Sequence, residues 1–142
     1  MSRQRTHDER GTSTVEVVIL APALGVLVLL AIAGGRLAIA SQAVQSSAAE
    51  AARSASIART HSDAQAAASS AARARLASQR VNCASVTVTV DTAEFATPVG
   101  IPASVGATVT CRVDLSGLLP GLPATVPVTA SIRSPLDTYR ER

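Results

Sequence analysis

Val17 to Gly35 read VVILAPALGVLVLLAIAGG, 19 residues without a charge. A helix of about 20 apolar residues spans the hydrocarbon core of a bilayer, so this run predicts one transmembrane helix. Pro22 falls within the first two turns of the run, where a missing backbone donor does least harm. Arg36 ends the run. Before it stand Arg3, Arg5 and Arg10, against the single Arg36 beyond it. The positive-inside rule then puts the N-terminus in the cytoplasm and the remaining chain on the extracytoplasmic side.

The sequence after the run divides by periodicity. Leu37 to about Gln79 is rich in Ala, Ser, Gln, Arg and Glu, without Gly or Pro. Alanine is the strongest helix former, so the apolar helix is expected to continue as an Ala-rich helix. It has one expected break, at Thr60-His61-Ser62-Asp63, where Ser62 or Asp63 would cap a second helix. Leu37, Ser41, Val44, Ala48, Ala51, Ala55 and Ala58 recur at spacings of four and three. This narrow seam of small side chains suits either a partner helix or the protein's own small domain. Glu50 and Arg53 are spaced for a surface i,i+3 pair.

After Val81 the period becomes two. Val86, Val88 and Val90 alternate with threonines, as do Ala107, Val109, Cys111, Val113 and Leu115 with polar residues. Val126, Val128, Ala130 and Ile132 form a third such set. Three antiparallel strands with one buried face follow, and Pro127 places the third at an edge. The fold class is α+β: a long transmembrane helix continuing into an Ala-rich helix, then a small antiparallel sheet of about three strands. The expected segments are residues 1–11, a cytoplasmic leader; 12–36, the transmembrane helix; 37–80, the extracytoplasmic Ala-rich helix; and 81–142, a β domain with a C-terminal tail.

Cys83 and Cys111 are the only cysteines, and an even count beyond a membrane anchor predicts one disulfide. Two buried free thiols are the alternative. By strand parity Cys111 falls on the apolar face and Cys83 on the polar one, which suggests that Cys83 sits in the turn before its strand. The histidines, His7 and His61, make no metal-binding pattern with them, and no cofactor is expected. A net charge of +3 and an aromatic content of 1% offer neither a basic stripe nor a stacking platform for nucleic acid. No nucleotide loop, HExxH motif or nucleophile constellation stands out, so the protein is not expected to be an enzyme.

The remaining motif is Arg10-Gly11-Thr12-Ser13-Thr14-Val15-Glu16 at the entrance to the apolar run. An acid at the edge of a hydrophobic span is costly unless compensated. Ser13-x-x-Glu16 can be read as a capping box, with the acid also suiting the helix dipole. The wider segment RGTSTVEVVILAPALGVLVLLAIAGGR resembles the TadE-like proteins of the tight-adherence (Flp, type IV-like) pilus system. The resemblance rests on Arg10, Gly11, Val15, Glu16, Pro22, Gly35 and Arg36. Ala48 to Ala55 looks like the family's Ala-Arg stretch after the anchor, and the ending Ser134 to Arg140 looks like that of actinobacterial members. Val17 stands where many members carry phenylalanine.

The resemblance implies cleavage by a prepilin peptidase between Gly11 and Thr12, and pairing of Glu16 with the new Thr12 amine during assembly. It implies a minor pilin or pseudopilin that assists assembly of a pilus or a related secretion apparatus. Membrane lipid, other pilins or pseudopilins, the prepilin peptidase and the assembly platform would be its partners. Two other readings stay open. Ala38-Ile39-Ala40 before Ser41 fits an ordinary signal-peptidase site, which would release a secreted protein after Ala40. Alternatively, the chain stays uncut as a single-pass surface-binding protein.

Overall fold

The computed structural model describes residues 12–117 and 125–137, with side chains from residue 17 onward. The element order is α1 (Thr12–Ile57), α2 (His61–Ser78), β1 (Cys83–Asp91), a 3-10 turn (Ala93–Ala96), β2 (Ser104–Asp114) and β3 (Thr125–Pro135). The described residues divide into two compact units, the first ending at Gly35 and the second beginning at Arg36. The α+β class is that expected, with the sheet ordered β1-β2-β3 and every pair antiparallel.

The helical segment is broken, and the capping residue differs from either one expected. α1 ends at Ile57, and Thr60 is the N-cap of α2, with extended backbone at φ −121° and ψ 158°. Its Oγ1 accepts from the Asp63 amide at 3.1 Å and donates to the Asp63 carboxylate at 2.7 Å. Thr60 wins over Ser62 and Asp63 because its hydroxyl stands three residues before an amide that the first turn leaves unbonded. Asp63 instead serves inside the first turn, where an acid suits the helix dipole. The other end of α2 closes with the Arg80 amide donating to the Ala77 carbonyl and the Val81 amide to the Leu76 carbonyl. That is the Schellman pattern, and Arg80 takes its left-handed position at φ 55°.

The seam of α1 packs on the protein's own core. Val44, Ala48, Ala51 and Ala55 are buried, joined by Ala40, Ala43 and Ala52. α2 contributes Ala64, Ala68, Ala72 and Leu76, at a strict spacing of four. With the apolar face of the sheet these form one cluster. Its largest fully buried side chains are Val44, Val105, Val109, Cys111 and Ser47, so the core is built from small pieces. Ser47 tolerates burial because its hydroxyl donates to the Val44 carbonyl at 2.8 Å. Gln79 Nε2 donates to Ser46 Oγ and ties the end of α2 to α1. Among the described residues no ion pair joins Glu50 to Arg53, in contrast to the spacing-based expectation; both are exposed.

The bridge between Cys83 and Cys111 is formed, with the Cα atoms 5.5 Å apart. The parity conflict resolves through a bulge rather than a turn. Cys83 is the first residue of β1 and pairs with Val113, yet Ser85 pairs with Arg112, so Ala84 is an extra residue. One extra residue flips everything before it to the opposite face, which carries Cys83 onto the core side beside Cys111. Closing 28 residues of separation stabilises by about 3–4 kcal/mol in the chain-entropy model.

The polar face of the sheet is laid out in rows. Thr87, Thr110 and Thr129 stand abreast, then Thr89, Thr108 and Ser131. Thr108 donates to Ser131 at 3.0 Å, and Thr110 and Thr129 are hydrogen-bonded at 3.0 Å. The next row is Asp91, Gly106 and Arg133. A Cβ on Gly106 would meet Asp91 Cβ at 3.4 Å and Arg133 Cγ at 3.9 Å, ordinary contact distances, so the two side chains flank Gly106 closely. Arg133 approaches Asp91 at 3.7 Å and Glu94 at 3.5 Å. Glu94 also accepts from the Ser104 amide and hydroxyl, fixing the 3-10 turn over the sheet end. Gly100, at φ 92°, makes the type II turn closed by the Ile101 amide on the Pro98 carbonyl.

Candidate functional site

The membrane-entry segment concentrates the sequence-predicted site residues. α1 begins at Thr12, so Ser13 and Glu16 both lie within the helix, Glu16 as its fifth residue. A capping box would require Ser13 just outside the helix. Gly11 and the side chains of Thr12 and Glu16 lie outside the described residues. Pro22 is the eleventh residue of α1, deeper than the first two turns, because the helix starts five residues before the apolar run. Its missing amide leaves the Val18 carbonyl without an i→i−4 partner.

From Val17 onward the first unit is apolar on every side. Val17, Val18, Ile19, Leu20, Leu24, Val26, Leu27, Val28, Leu29, Leu30 and Ile32 are all exposed. Consecutive positions cannot share one face of a helix, so no single stripe faces a core. The described part of α1 is long and apolar enough to cross a membrane, and its apolar stretch is not buried against the rest of the chain.

Two polar constellations of the second unit are scarcely legible in the sequence. At the first, Gln65 Nε2 donates to the Val88 carbonyl at 2.7 Å, and the Val90 amide donates to Gln65 Oε1 at 3.1 Å. The side chain thus imitates a neighbouring strand along the outer edge of β1. Its only trace in the sequence is a glutamine between buried helix positions. The second is a cleft of about 290 Å³ lined by Arg36, Ile39, Arg80, Val81, Asn82 and Asp114, among others. No sequence pattern joins these positions, because three elements meet there.

Asp114 accepts from the Ser116 amide at 2.8 Å. Hydrogen bonds from the Ser116 hydroxyl and amide hold its carboxyl below the usual range, by favouring the ionised form. Among the described residues no group of three His, Cys, Asp or Glu side chains is placed to hold a metal.

No curated protein and no solved structure matches the chain. Residues 11–53, which take in the glycine before α1, Glu16, Pro22, the whole apolar run and the first turns of the Ala-rich stretch, match the family model of TadE-like proteins.

Proposed function

We propose that the protein is a minor pilin or pseudopilin-like membrane protein that assists assembly of a tight-adherence-type pilus or a related secretion apparatus. The observation that carries this reading is the TadE-like match over residues 11–53, which coincides with a helix fit to cross a membrane. Its N-terminus is cytoplasmic, and residues 37–142 are extracytoplasmic, where an oxidising environment suits the Cys83–Cys111 bridge. It acts by assembly rather than catalysis. Its partners are membrane lipid, other pilins, the prepilin peptidase and the assembly platform.

The peptidase cuts between Gly11 and Thr12. This bond lies at the N-terminal edge of α1, so cutting it leaves the helix whole. The freed Thr12 amine then pairs with Glu16, on the same chain or a neighbour, and offsets the cost of an acid at the bilayer edge. Release after Ala40 is disfavoured, because Ala40 is interior to α1 and buried in the core of the second unit.

The N-terminal sequence of the mature protein tests the reading. Thr12 is expected. Ser41 would instead mean a released protein, and an uncut start a permanently anchored one. Gly11→Val, co-expressed with the cognate peptidase, is expected to remain full length, since a side chain hinders extended entry at the cleavage position. Glu16→Gln keeps hydrogen bonding but loses charge, so it should insert normally yet co-purify less with partner pilins.

A further inference from the structure

We propose that the cleft between Arg36 and Arg80 holds the phosphodiester of an anionic phospholipid headgroup. The proposal rests on the reading of Val17–Gly35 as a membrane span. Arg36 is the first residue beyond that run, and Ile39 follows three residues later. At a rise of about 1.5 Å per residue, both stand within about 6 Å of its end along the helix. That is the depth of the headgroup layer, not of bulk water.

The chemistry of the lining fits one negative charge. Among the described residues neither Arg36 nor Arg80 has an ion-pair partner. Asp114 also lines the cleft, but its Oδ1 already accepts the Ser116 amide. Two arginines and one carboxylate leave a single net positive charge, which a phosphodiester neutralises. Guanidinium groups match phosphate oxygens with paired donors, and Asn82, which also lines the cleft, carries an amide with further donors. Ile39, 63% exposed, offers an apolar wall where the glycerol and first acyl carbons would lie.

Arg80 adds a second, independent observation. It occupies the left-handed position of the α2 C-terminal motif, where glycine is the unstrained choice. The strain is local, and the side chain it carries lines the cleft. Arg80→Gly therefore removes the charge while easing the backbone, a variant that should fold at least as well as the native chain.

The test is native mass spectrometry of the full-length protein released from membranes in mild detergent, scored for retained lipid. Wild type should retain phosphatidylglycerol about tenfold over phosphatidylcholine, and Arg36→Gln or Arg80→Gly should each lower that retention about tenfold. Arg53→Gln, outside the cleft, should change nothing, and millimolar inorganic phosphate should not displace the lipid. Equal retention of the two lipids, or unchanged retention in either cleft variant, overturns the proposal. Displacement by inorganic phosphate also overturns it, by making the cleft a free-anion site. A protein recovered without detergent overturns the membrane reading itself, and is told apart because no lipid assay is then reached.

Discussion

α1 carries two kinds of surface along one helix. From Val17 to Ile32 it presents large aliphatic side chains in all directions, Leu27 and Val18 both more than 60% exposed. From Ala40 to Ala55 it buries a stripe of alanines with Val44 and Ser47, and leaves Gln42, Gln45, Glu50 and Arg53 exposed. Helix propensity is high in both stretches and distinguishes nothing. Side-chain size and periodicity make the difference. All-round apolar surface is stable only against lipid or other helices, whereas a one-sided stripe of small residues is covered by the chain's own sheet and second helix.

The largest expected effect sets the two stretches apart through the disulfide. Replacing Cys83 and Cys111 together by serine should destabilise the second unit by about 3–4 kcal/mol. Thermal unfolding of the full-length protein in detergent should show a lower midpoint. Membrane retention, which depends on Val17–Gly35, should be unchanged. Equal thermal midpoints, or loss of membrane retention, would erase the division.

Leu27→Arg attacks the first stretch. An arginine at the centre of a span costs about 2.5–3.5 kcal/mol on insertion scales. The variant should shift toward the carbonate-extractable fraction, while Leu27→Ile should not. A smaller effect tests the second stretch. Ala51, fully buried, is expected to lose about 1–3 kcal/mol on change to leucine, since a close-packed core must open to admit it. Ala31→Leu, on an exposed position of the same helix, should leave the thermal midpoint unchanged.

The apolar run is legible from its unbroken length of 19 uncharged residues, and the three strands from their period of two. Pro127 announced an edge strand, and β3 is at an edge. What stayed hidden depended on single residues acting against the pattern. The bulge at Ala84 was concealed because parity counts presume an unbroken ladder. Thr60 is hidden as the cap because Ser62 and Asp63 share its chemistry and lie within three residues. In the candidate site, the motif around Glu16 was visible because it is contiguous. The cleft at Arg36 was not, since Arg80 and Asp114 come from distant parts of the chain.

The smallest expected effect concerns the two edges of the sheet, which are protected differently. Val88 and Val90 turn their backbone groups outward, since both bond to Gln65. By alternation Thr87 and Thr89 bond to β2, then Ala107, Val109 and Cys111 bond to β3. Pro127, Thr129, Ser131, Arg133 and Pro135 are therefore the outward residues of β3, and its two prolines lack the donors an added strand would need. β1 has no proline and relies on Gln65. Gln65→Ala should cost only about 1 kcal/mol, because water can take over part-exposed edge groups. Its sharper signature is faster amide exchange at Val90, without change at Thr129 or Ser131. If Val90 exchanges at the wild-type rate in this variant, the glutamine does not guard the edge, and β1 stands open while the prolines alone blunt the edge of β3.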